Sequence, residues 1–174
     1  MTPTARRTAL TAATAVAAVL LIAVVPLLRR GPRYPFKASS AAHGYGDSGR
    51  LGDVAAYGVM FHTKQEREPW VEIDLGEARP VRAVEIVNRY DCCKDRALPL
   101  LLEIAGEDHE HHEVARVSEP FDEVTLEPAG APRARYVRLR VAGTTLFHLA
   151  AVRVPCALRG VPLSRSPTPA SSSE

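Results

Sequence analysis

The sequence lacks the local patterns by which several large groups of enzymes are recognised. It contains no nucleophile elbow, no phosphate-binding glycine loop and no H-E-x-x-H helix. Helical periodicity of useful length is also missing from the body of the chain. These absences argue against an enzyme and against a helical fold.

An excess of positive charge is missing from the body of the chain, although the formal net charge of the whole sequence is +2. Six of the 22 basic residues precede Ala38, whereas the region from Ala38 to Pro155 carries 19 acidic and 14 basic side chains. Binding to nucleic acid depends on clustered lysines and arginines. The net-acidic body therefore argues against a nucleic-acid partner.

One long apolar run is present, residues 8–28, in which 21 consecutive residues carry no charge. As a helix this run extends ~32 Å, enough to cross a bilayer, and arginine pairs flank it on both sides. We predict a transmembrane anchor or uncleaved signal that makes a single-pass membrane protein with its domain on the extracytosolic side. A cleaved signal, and hence a secreted protein, is the alternative.

The rest of the chain divides by composition. Residues 1–7 form a short N-terminal segment, residues 29–36 a proline-containing stalk, and residues 158–174 a disordered tail rich in proline and serine. Residues 37–157 suffice for one domain with its own core. Its strand-like runs are residues 70–75, 81–89, 98–105, 113–117, 123–126, 136–141 and 148–154. They predict an all-β fold, a β-sandwich or jelly roll.

Four polar residues stand at the spacing H-x(26)-R-x-D-x(4)-R, namely His62, Arg89, Asp91 and Arg96. In a strand that ends at Asp91, the period of two puts Arg89 and Asp91 on one face, where the carboxylate supports the guanidinium. A neutral polyol such as a hexose is bound by fixed donors and acceptors, which two arginines and a histidine supply. The spacing indicates a sugar site; a surface ion-pair cluster is the alternative.

Two adjacent cysteines, Cys92 and Cys93, stand between the two arginines. Neighbouring Cα atoms lie ~3.8 Å apart, closer than the usual ~4.4–6.8 Å in a disulfide, so a bridge between them is strained. A bridged pair makes a compact apolar knob that can press on a sugar ring, and two free thiols are the alternative in a reducing compartment. Cys156 is then left over.

Together these motifs resemble the F-type lectins, also called fucolectins. The likeness rests on His62–Thr63, Pro69–Trp70, Asp74–Gly76 and Asn88–Arg96, and covers about residues 37–156. It implies a galactose-binding-like, F5/8 type C (discoidin) sandwich whose partners are fucosylated glycans. By the resemblance, His62, Arg89 and Arg96 bond to L-fucose, with the Cys92–Cys93 bridge stacked beneath the sugar. A single weak site predicts lateral clustering in the membrane.

The glycine-rich loop of residues 44–58 has a length typical of binding loops. We expect Tyr45, Tyr57 and Phe61 to form an apolar wall around the methyl group of the deoxy sugar, because apolar contact favours a methyl over a hydroxymethyl group. Each of the three is also compatible with ordinary packing.

Members of this family hold a calcium ion beneath the binding loops. Asp47 and Asp53 remain here as possible calcium ligands, but an ion that takes six to eight oxygens needs more than two carboxylates. Leu149–Val152 stands where the family has a Cys-Glu pair. Met60 and Ala150 stand where the family has a further disulfide. The resemblance therefore leaves calcium possible but poorly supported.

Other functions stay open. The sandwich also suits a discoidin-like adhesion module that binds protein or lipid headgroups, and the cysteine pair suits a vicinal-dithiol redox sensor. A Cys92 nucleophile with His62 as base fits the two arginines less well than a lectin does. We predict that the His-rich run of residues 108–113 is a solvated connection and not a zinc site, and that Trp70 anchors the sandwich.

Overall fold

The computed structural model describes residues 32–55 and 58–155, and these residues form thirteen β-strands. A short 3-10 helix, Lys94–Ala97, lies between β6 and β7. The strands are β1 Pro35–Ala38, β2 Ser48–Arg50, β3 Phe61–His62, β4 Glu66–Arg67, β5 Trp70–Pro80, β6 Val84–Val87, β7 Leu100–Ala105, β8 His112–Val117, β9 Glu123–Leu126, β10 Arg133–Val141, β11 Thr144–Thr145, β12 His148–Leu149 and β13 Ala151–Arg153.

Two sheets enclose the core. One is a six-stranded antiparallel sheet in the order β2-β1-β5-β10-β7-β8, and the other has the order β13-β6-β9. Short ladders join β12 to β3 and β11 to β4. Val71 and Leu139 of the large sheet belong to the same buried cluster as Ile86 and Val152 of the smaller one. The all-β sandwich predicted from the sequence is confirmed.

Apolar and polar residues alternate along the central strands, and this alternation explains how the sheets pack. In β5, Val71, Ile73 and Leu75 are buried, while the residues between them are partly exposed. Burying a side chain of this size stabilises the fold by about 1.5–3 kcal/mol. A shift of one residue in the pairing of β5 with β10 would turn all three toward water, so their burial fixes the register.

Charged side chains cover the outer face of the large sheet. Glu72 lies opposite Arg138 and accepts its hydrogen bond at 2.8 Å, and the guanidinium of Arg138 lies 4.7 Å from the centre of the Trp70 ring. Arg140 donates to Glu103 at 2.5 Å. Trp70 is thus held at the sheet surface, in agreement with its predicted role as an anchor.

The His-rich connection between β7 and β8 contacts the outer face of the six-stranded sheet. The Nε2 atom of His111 lies 2.8 Å from Oε2 of Glu72, and the ring of His109 stacks on that of Tyr136 at 3.8 Å. The connection is exposed at Asp108 to Glu110, as predicted, and in addition the rings of His109 and His111 pack on the outer face of the sheet. Across residues 32–55 and 58–155, no three His, Cys, Asp or Glu side chains are arranged to hold a metal ion.

The predicted strand runs are recovered with changed limits. The prediction for β9 is correct, whereas β5 is longer and β6 shorter than expected, and the run 148–154 is broken at Ala150 into β12 and β13. The strands that sequence inspection missed, β1 to β4 and β11, have two to four residues each. Segments this short carry too few residues for alternation to be visible.

Some predictions concern the ends of the chain. The predicted anchor (residues 8–28), the segment 1–7, the tail 158–174 and Cys156 all lie outside the described residues. Of the described residues, none belong to a helix long and apolar enough to cross a membrane. The predicted stalk is wrong at its end, because Pro35 begins β1 and the buried Tyr34 and Phe36 contribute to the core.

Candidate functional site

A buried asparagine organises the segment that follows β6. Asn88 is fully buried, and its Nδ2 donates to the carbonyls of Lys94 at 3.1 Å and Phe121 at 3.4 Å. Its Oδ1 accepts the backbone N–H of Arg89 at 2.9 Å. These bonds tie the end of β6 to the start of the 3-10 helix, so residues 89–93 form a loop with both ends fixed.

Arg89 and Asp91 clasp each other within this loop. The Nε and Nη2 atoms of Arg89 donate to the two carboxylate oxygens of Asp91, each at 2.6 Å. Arg89 holds the pKa of Asp91 well below its usual value, at about 2, and the same pairing raises the pKa of Arg89. Both groups are charged at neutral pH. Because a guanidinium has five N–H donors, three donors of Arg89 stay available for a ligand.

The predicted strand does not extend through this pair. Sequence periodicity placed Arg89 and Asp91 on one face of a strand, but β6 ends at Val87 and the pair lies in the loop. The predicted support of Arg89 by Asp91 is nevertheless confirmed. Two residues one position apart can approach on the same side of a bent segment as well as on a strand.

A disulfide joins Cys92 and Cys93 at the turn into the 3-10 helix. Cys93 has a φ of 60°, in the left-handed region, and its carbonyl accepts the backbone N–H of Arg96 at 3.2 Å. The helix buries Ala97 and leaves Arg96 half-buried. In the part of the chain that is described, the Arg96 guanidinium makes no side-chain hydrogen bond or ion pair. Its donors are therefore free to bind a ligand.

His62 reaches the same region from β3. Its Nδ1 lies 2.8 Å from the carbonyl oxygen of Thr63. A carbonyl only accepts hydrogen bonds, so Nδ1 carries a proton, and in the neutral form of the ring Nε2 is an acceptor. Thr63, fully buried, fixes the strand by accepting the backbone N–H of Phe147 at 2.9 Å. The chain thus presents one oriented acceptor beside two arginines.

The residue that brings these groups together is His148, which sequence inspection placed only in a strand. It lies directly opposite His62 in the β3–β12 pair, with the two ring centroids 5.1 Å apart. Its ring is fully buried, and both ring nitrogens lack a hydrogen-bond partner of ordinary geometry. Burial, followed by the proximity of Arg89, His62 and Arg96, lowers the pKa of His148 to about 4.

Geometry and electrostatics together place three residues that are far apart in sequence near His148. Arg89, Arg96 and His62 all act on one imidazole, and β12 also contacts the 3-10 helix that carries Arg96. A signal for His148 exists in the sequence, since a histidine inside an apolar run calls for a polar neighbour. The run gives no indication of which neighbour that is.

The three residues predicted to form an apolar wall lie in different environments. The ring of Tyr45 lies against that of His62 with centroids 5.1 Å apart, and Tyr45 also acts electrostatically on Arg89. Phe61 is fully buried and packs edge-on against Phe147, so its prediction as a wall residue is wrong. Neighbours on a strand face opposite sides, and His62 takes the outer one. Tyr57 lies outside the described residues.

The residues predicted as calcium ligands do not fit that ion. Asp53 is engaged as an anion by the Arg33 guanidinium and accepts the backbone N–H of Arg50 at 2.9 Å. Asp47 accepts a bond from Ser48 at 3.2 Å. A cation at Asp53 would have to displace the Arg33 pair, and among the described residues no three His, Cys, Asp or Glu side chains are arranged to hold one. The β3–β12 register, continued by one residue, brings Met60 opposite Ala150, so two apolar residues form the pair at which the resemblance implies a disulfide.

The sequence of the chain matches a known protein family. The family model described as F5/F8 type C, NedA-like, galactose-binding domain matches residues 52–139, which is 88 of the 174 residues. A search of curated proteins finds no match.

Solved structures share the fold. The lectin domain of lectinolysin, complexed with Lewis B antigen, is 27% identical with a TM-score of 0.57, and the similarity covers 73% of this chain and 95% of that chain. An F-lectin (fucolectin) from the serum of striped bass, Morone saxatilis, is 24% identical with a TM-score of 0.58 over 70% of this chain. The present chain spans only 46% of that fish lectin.

A fucose binding module of Streptococcus pneumoniae is 21% identical, with a TM-score of 0.58, over 71% of this chain and 93% of that chain. At identities below 25%, the fish and pneumococcal proteins establish the fold alone. The family model and the lectin domain of lectinolysin, at 27% identity, confirm the resemblance to F-type lectins that the sequence motifs indicate.

Proposed function

We propose that this chain, which belongs to the F5/F8 type C family of NedA-like, galactose-binding domains, is a lectin module that binds terminal L-fucose. The single observation that carries the proposal is the placement of His148, whose ring lies 5.1 Å from that of His62, whose strand contacts the 3-10 helix of Arg96, and whose pKa the charge of Arg89 lowers. His62, Arg89 and Arg96 are the direct contacts. Asp91 supports Arg89.

The hydrogen-bonding groups of this cluster suit an uncharged polyol. Each sugar hydroxyl both donates and accepts, whereas the ring oxygen only accepts. Arg89 and Arg96 supply fixed donors for ring and hydroxyl oxygens, and Nε2 of His62 accepts one hydroxyl proton. An anionic ligand would leave that acceptor facing negative charge. A neutral sugar uses both kinds of group.

Apolar contacts select a deoxy sugar. Tyr45 lies against His62, and the Cys92–Cys93 bridge stands between the two arginines in sequence. We infer that the bridge packs on the apolar face of the ring and that Tyr45 contacts the methyl group of fucose. A hydroxymethyl group at the same place would be desolvated without a partner.

The context of the module is also part of the proposal. A single monosaccharide site of this kind binds near the millimolar range, so useful avidity requires several copies. The apolar segment of residues 8–28 supports a tether to a membrane, with the lectin domain on the extracytosolic side and copies clustered laterally.

Titration calorimetry of the full chain with methyl α-L-fucoside tests the proposal. We expect binding that Arg89→Ala or Arg96→Ala weakens at least about tenfold, because each loses charge-assisted hydrogen bonds. Arg116→Ala is the matched control, since Arg116 lies on β8 and pairs with Glu113 away from the site. L-galactose, with a hydroxymethyl in place of the methyl, should bind more weakly.

Absence of fucoside binding by the wild-type chain would overturn the proposal. Binding to a protein or to lipid vesicles that survives Arg89→Ala would favour the discoidin-like adhesion module instead. A response to reducing agent that is unchanged in His62→Ala would favour the redox sensor.

A further inference from the structure

Arginines from separate parts of the chain lie together at the end of the sandwich where β1 begins. The backbone carbonyl of Arg33 accepts a hydrogen bond from the Arg50 guanidinium at 3.2 Å. The hydroxyl of Tyr34, the next residue, accepts a bond from Arg79 at 3.0 Å, and the Arg79 guanidinium lies 5.6 Å from the centre of the Tyr34 ring. These contacts join the start of β1, the end of β2 and the end of β5 in one surface.

Two more arginines extend this surface toward the smaller sheet. Arg133, the first residue of β10, donates to the carbonyl of Ala78 at 2.5 Å. The backbone N–H of Val81 donates to the carbonyl of Pro132 at 2.9 Å, which brings the next residue, Arg82, to the same end. We name this surface the arginine end, and its arginines are Arg33, Arg50, Arg79, Arg82 and Arg133.

Only part of the positive charge at the arginine end is neutralised by carboxylates. Arg33 is paired with Asp53, and Arg79 is paired with Glu77. Within residues 32–55 and 58–155, the other three arginines form no ion pair and are exposed: Arg50, Arg82 and Arg133. A guanidinium presents a planar set of donors that matches the oxygens of a phosphate group. The arginine end therefore suits an anionic partner that carries phosphate.

The position of the arginine end in the chain favours a lipid headgroup as that partner. The uncharged run of residues 8–28 ends shortly before the described structure begins at residue 32. The four peptide links from residue 28 to residue 32 span at most ~14 Å. With residues 8–28 in a bilayer as proposed, the start of β1 lies within reach of the headgroups. A nucleic acid has no comparable connection to this surface.

An exposed apolar side chain adjoins one of the unpaired arginines in the chain. The backbone N–H of Asp53 donates to the carbonyl of Arg50 at 2.9 Å and closes a turn. Val54, the next residue, is 70% exposed. Arginines beside an exposed aliphatic group are typical of surfaces at a lipid interface, where the guanidinium contacts phosphate and the aliphatic group lies between headgroups.

We propose that the arginine end binds the phosphate groups of acidic phospholipids and holds the domain upright on the membrane. This inference rests on the proposed function, in which residues 8–28 tether the lectin, and deepens it. Arg82 precedes β6 and Arg89 follows it, so the arginine end and the sugar site lie at opposite ends of this strand. Contact between the arginine end and the bilayer directs the sugar site away from the membrane, toward glycans in solution or on another surface.

Hydrogen exchange of the full chain in lipid nanodiscs tests this contact. Discs of phosphatidylcholine are compared with discs that contain about one third phosphatidylglycerol. Each arginine near an acidic surface changes its occupancy about fivefold, so we expect the backbone N–H groups of residues 76–83 to exchange at least about threefold more slowly in the acidic discs. Residues 89–93, in the sugar-site loop, should exchange equally in both.

Charge reversal at two unpaired arginines should remove the slowing. Arg82→Glu/Arg133→Glu is the test variant, and Arg82→Gln/Arg133→Gln is a milder second variant that should reduce the slowing in the same direction. Arg67→Glu/Arg116→Glu is the matched control, because it changes the charge equally at exposed positions of β4 and β8 and should retain the slowing. Unchanged exchange of the buried residues of β10 shows that each variant is folded.

The other outcomes overturn the inference. Equal exchange of residues 76–83 in the two lipids, or slowing that survives in both test variants, shows that the arginine end contacts no acidic headgroup. Slowing at residues 89–93 places the sugar-site end against the membrane. A chain that does not float with phosphatidylcholine vesicles has no anchor, and the tether and the contact surface then fail together. Fucoside calorimetry is independent of all these measurements, so failure of sugar binding is distinguished from failure of the lipid contact.

Discussion

His62 and His148 face each other across the β3–β12 pair, with ring centroids 5.1 Å apart, and only His62 reaches the surface. The inner ring is neutral at physiological pH, because burial and the nearby arginines lower its pKa to about 4. The outer ring has its proton fixed on Nδ1 by the Thr63 carbonyl. A buried, uncharged imidazole thus lies directly behind the acceptor of the proposed site.

The neutral state of His148 makes stability depend on pH. In the unfolded chain a histidine is protonated near pH 6.5, whereas in the folded state His148 is protonated only near pH 4. Stability is therefore full above about pH 6.5 and falls as the pH drops toward 4, by up to about 3 kcal/mol. We expect urea denaturation at pH 7 and pH 5 to give a smaller difference in His148→Leu than in the wild type.

The control for this prediction is His112→Gln, which changes an exposed histidine of β8. It should leave the difference between the two pH values unchanged. Equal pH sensitivity of His148→Leu and the wild type would show that His148 is not the group responsible.

Replacing Asn88 should loosen the site and the fold together. Asn88→Ala leaves the Arg89 N–H without its acceptor and the carbonyls of Lys94 and Phe121 without their donor. We expect a loss of about 2 kcal/mol in the free energy of unfolding and weaker fucoside binding. Denaturation by urea and calorimetry measure the two effects. Unchanged stability would mean that water replaces all three bonds.

Asp91→Asn should separate ligand affinity from stability. The Asp91 side of the ion pair is exposed, so losing the pair should change the midpoint of thermal unfolding little. Without the pair, Arg89 loses its fixed orientation, and we expect fucoside affinity to fall about three- to tenfold. Because the pKa of Asp91 is lowered to about 2, the clasp is present above about pH 4 and is lost as the pH falls toward 2. The clasp's contribution to affinity should therefore be constant from pH 8 to about 4.

Reduction of the Cys92–Cys93 bridge should weaken binding without unfolding the domain. The bridge joins adjacent residues, so it restricts little of the unfolded chain and contributes little through chain entropy. The wall that the bridge offers to the sugar is altered when it opens. We expect several-fold weaker fucoside binding in reducing agent and a nearly constant melting temperature. Mass measurement after alkylation verifies the state of the pair, and unaltered affinity in the reduced state would contradict this prediction.

Chelation of calcium should have no effect on fucoside affinity. The Asp53 carboxylate is already paired with Arg33 and bound by the backbone of Arg50. We expect the same dissociation constant in EDTA and in millimolar calcium. A calcium-dependent increase in affinity would show that the ion displaces the Arg33 pair and orders the neighbouring loop.

The spacing of His62, Arg89 and Arg96 predicts a sugar site from side-chain chemistry, and the fold places all three near His148, while sugar binding by them stays a prediction. The long strands followed from alternation, as in β5 and β10. The features that were not predicted are the orientations of side chains in short strands and the positions of turns, which depend on the three-dimensional path of the chain. Phe61 is predicted as a wall residue because it is an aromatic residue near the glycine-rich loop, and the two-residue strand β3 is too short for a period that would indicate its burial. The turn at Ala150 that separates β12 from β13 likewise has no local sequence marker.

His148 escaped for a related reason. Its role arises from a cross-strand neighbour 86 positions away, His62, and from a loop whose position depends on the buried Asn88. Neither relationship has a trace in local sequence. The contact between Arg89 and Asp91 was predicted correctly, but in a strand that extends to Asp91. In the structure the strand ends before Arg89 and the contact forms in a loop, because it requires only that the two side chains be close.

The charged ladder on the outer face of the six-stranded sheet, with pairs such as Glu72–Arg138 and Glu103–Arg140, shares no side chain with the sugar cluster. Recognition and scaffold are therefore separable for protein engineering. Redesign of that face to raise the melting temperature need not disturb sugar specificity, and changing the specificity toward other deoxy sugars through Tyr45 need not destabilise the fold. The domain offers two independent sets of adjustable positions.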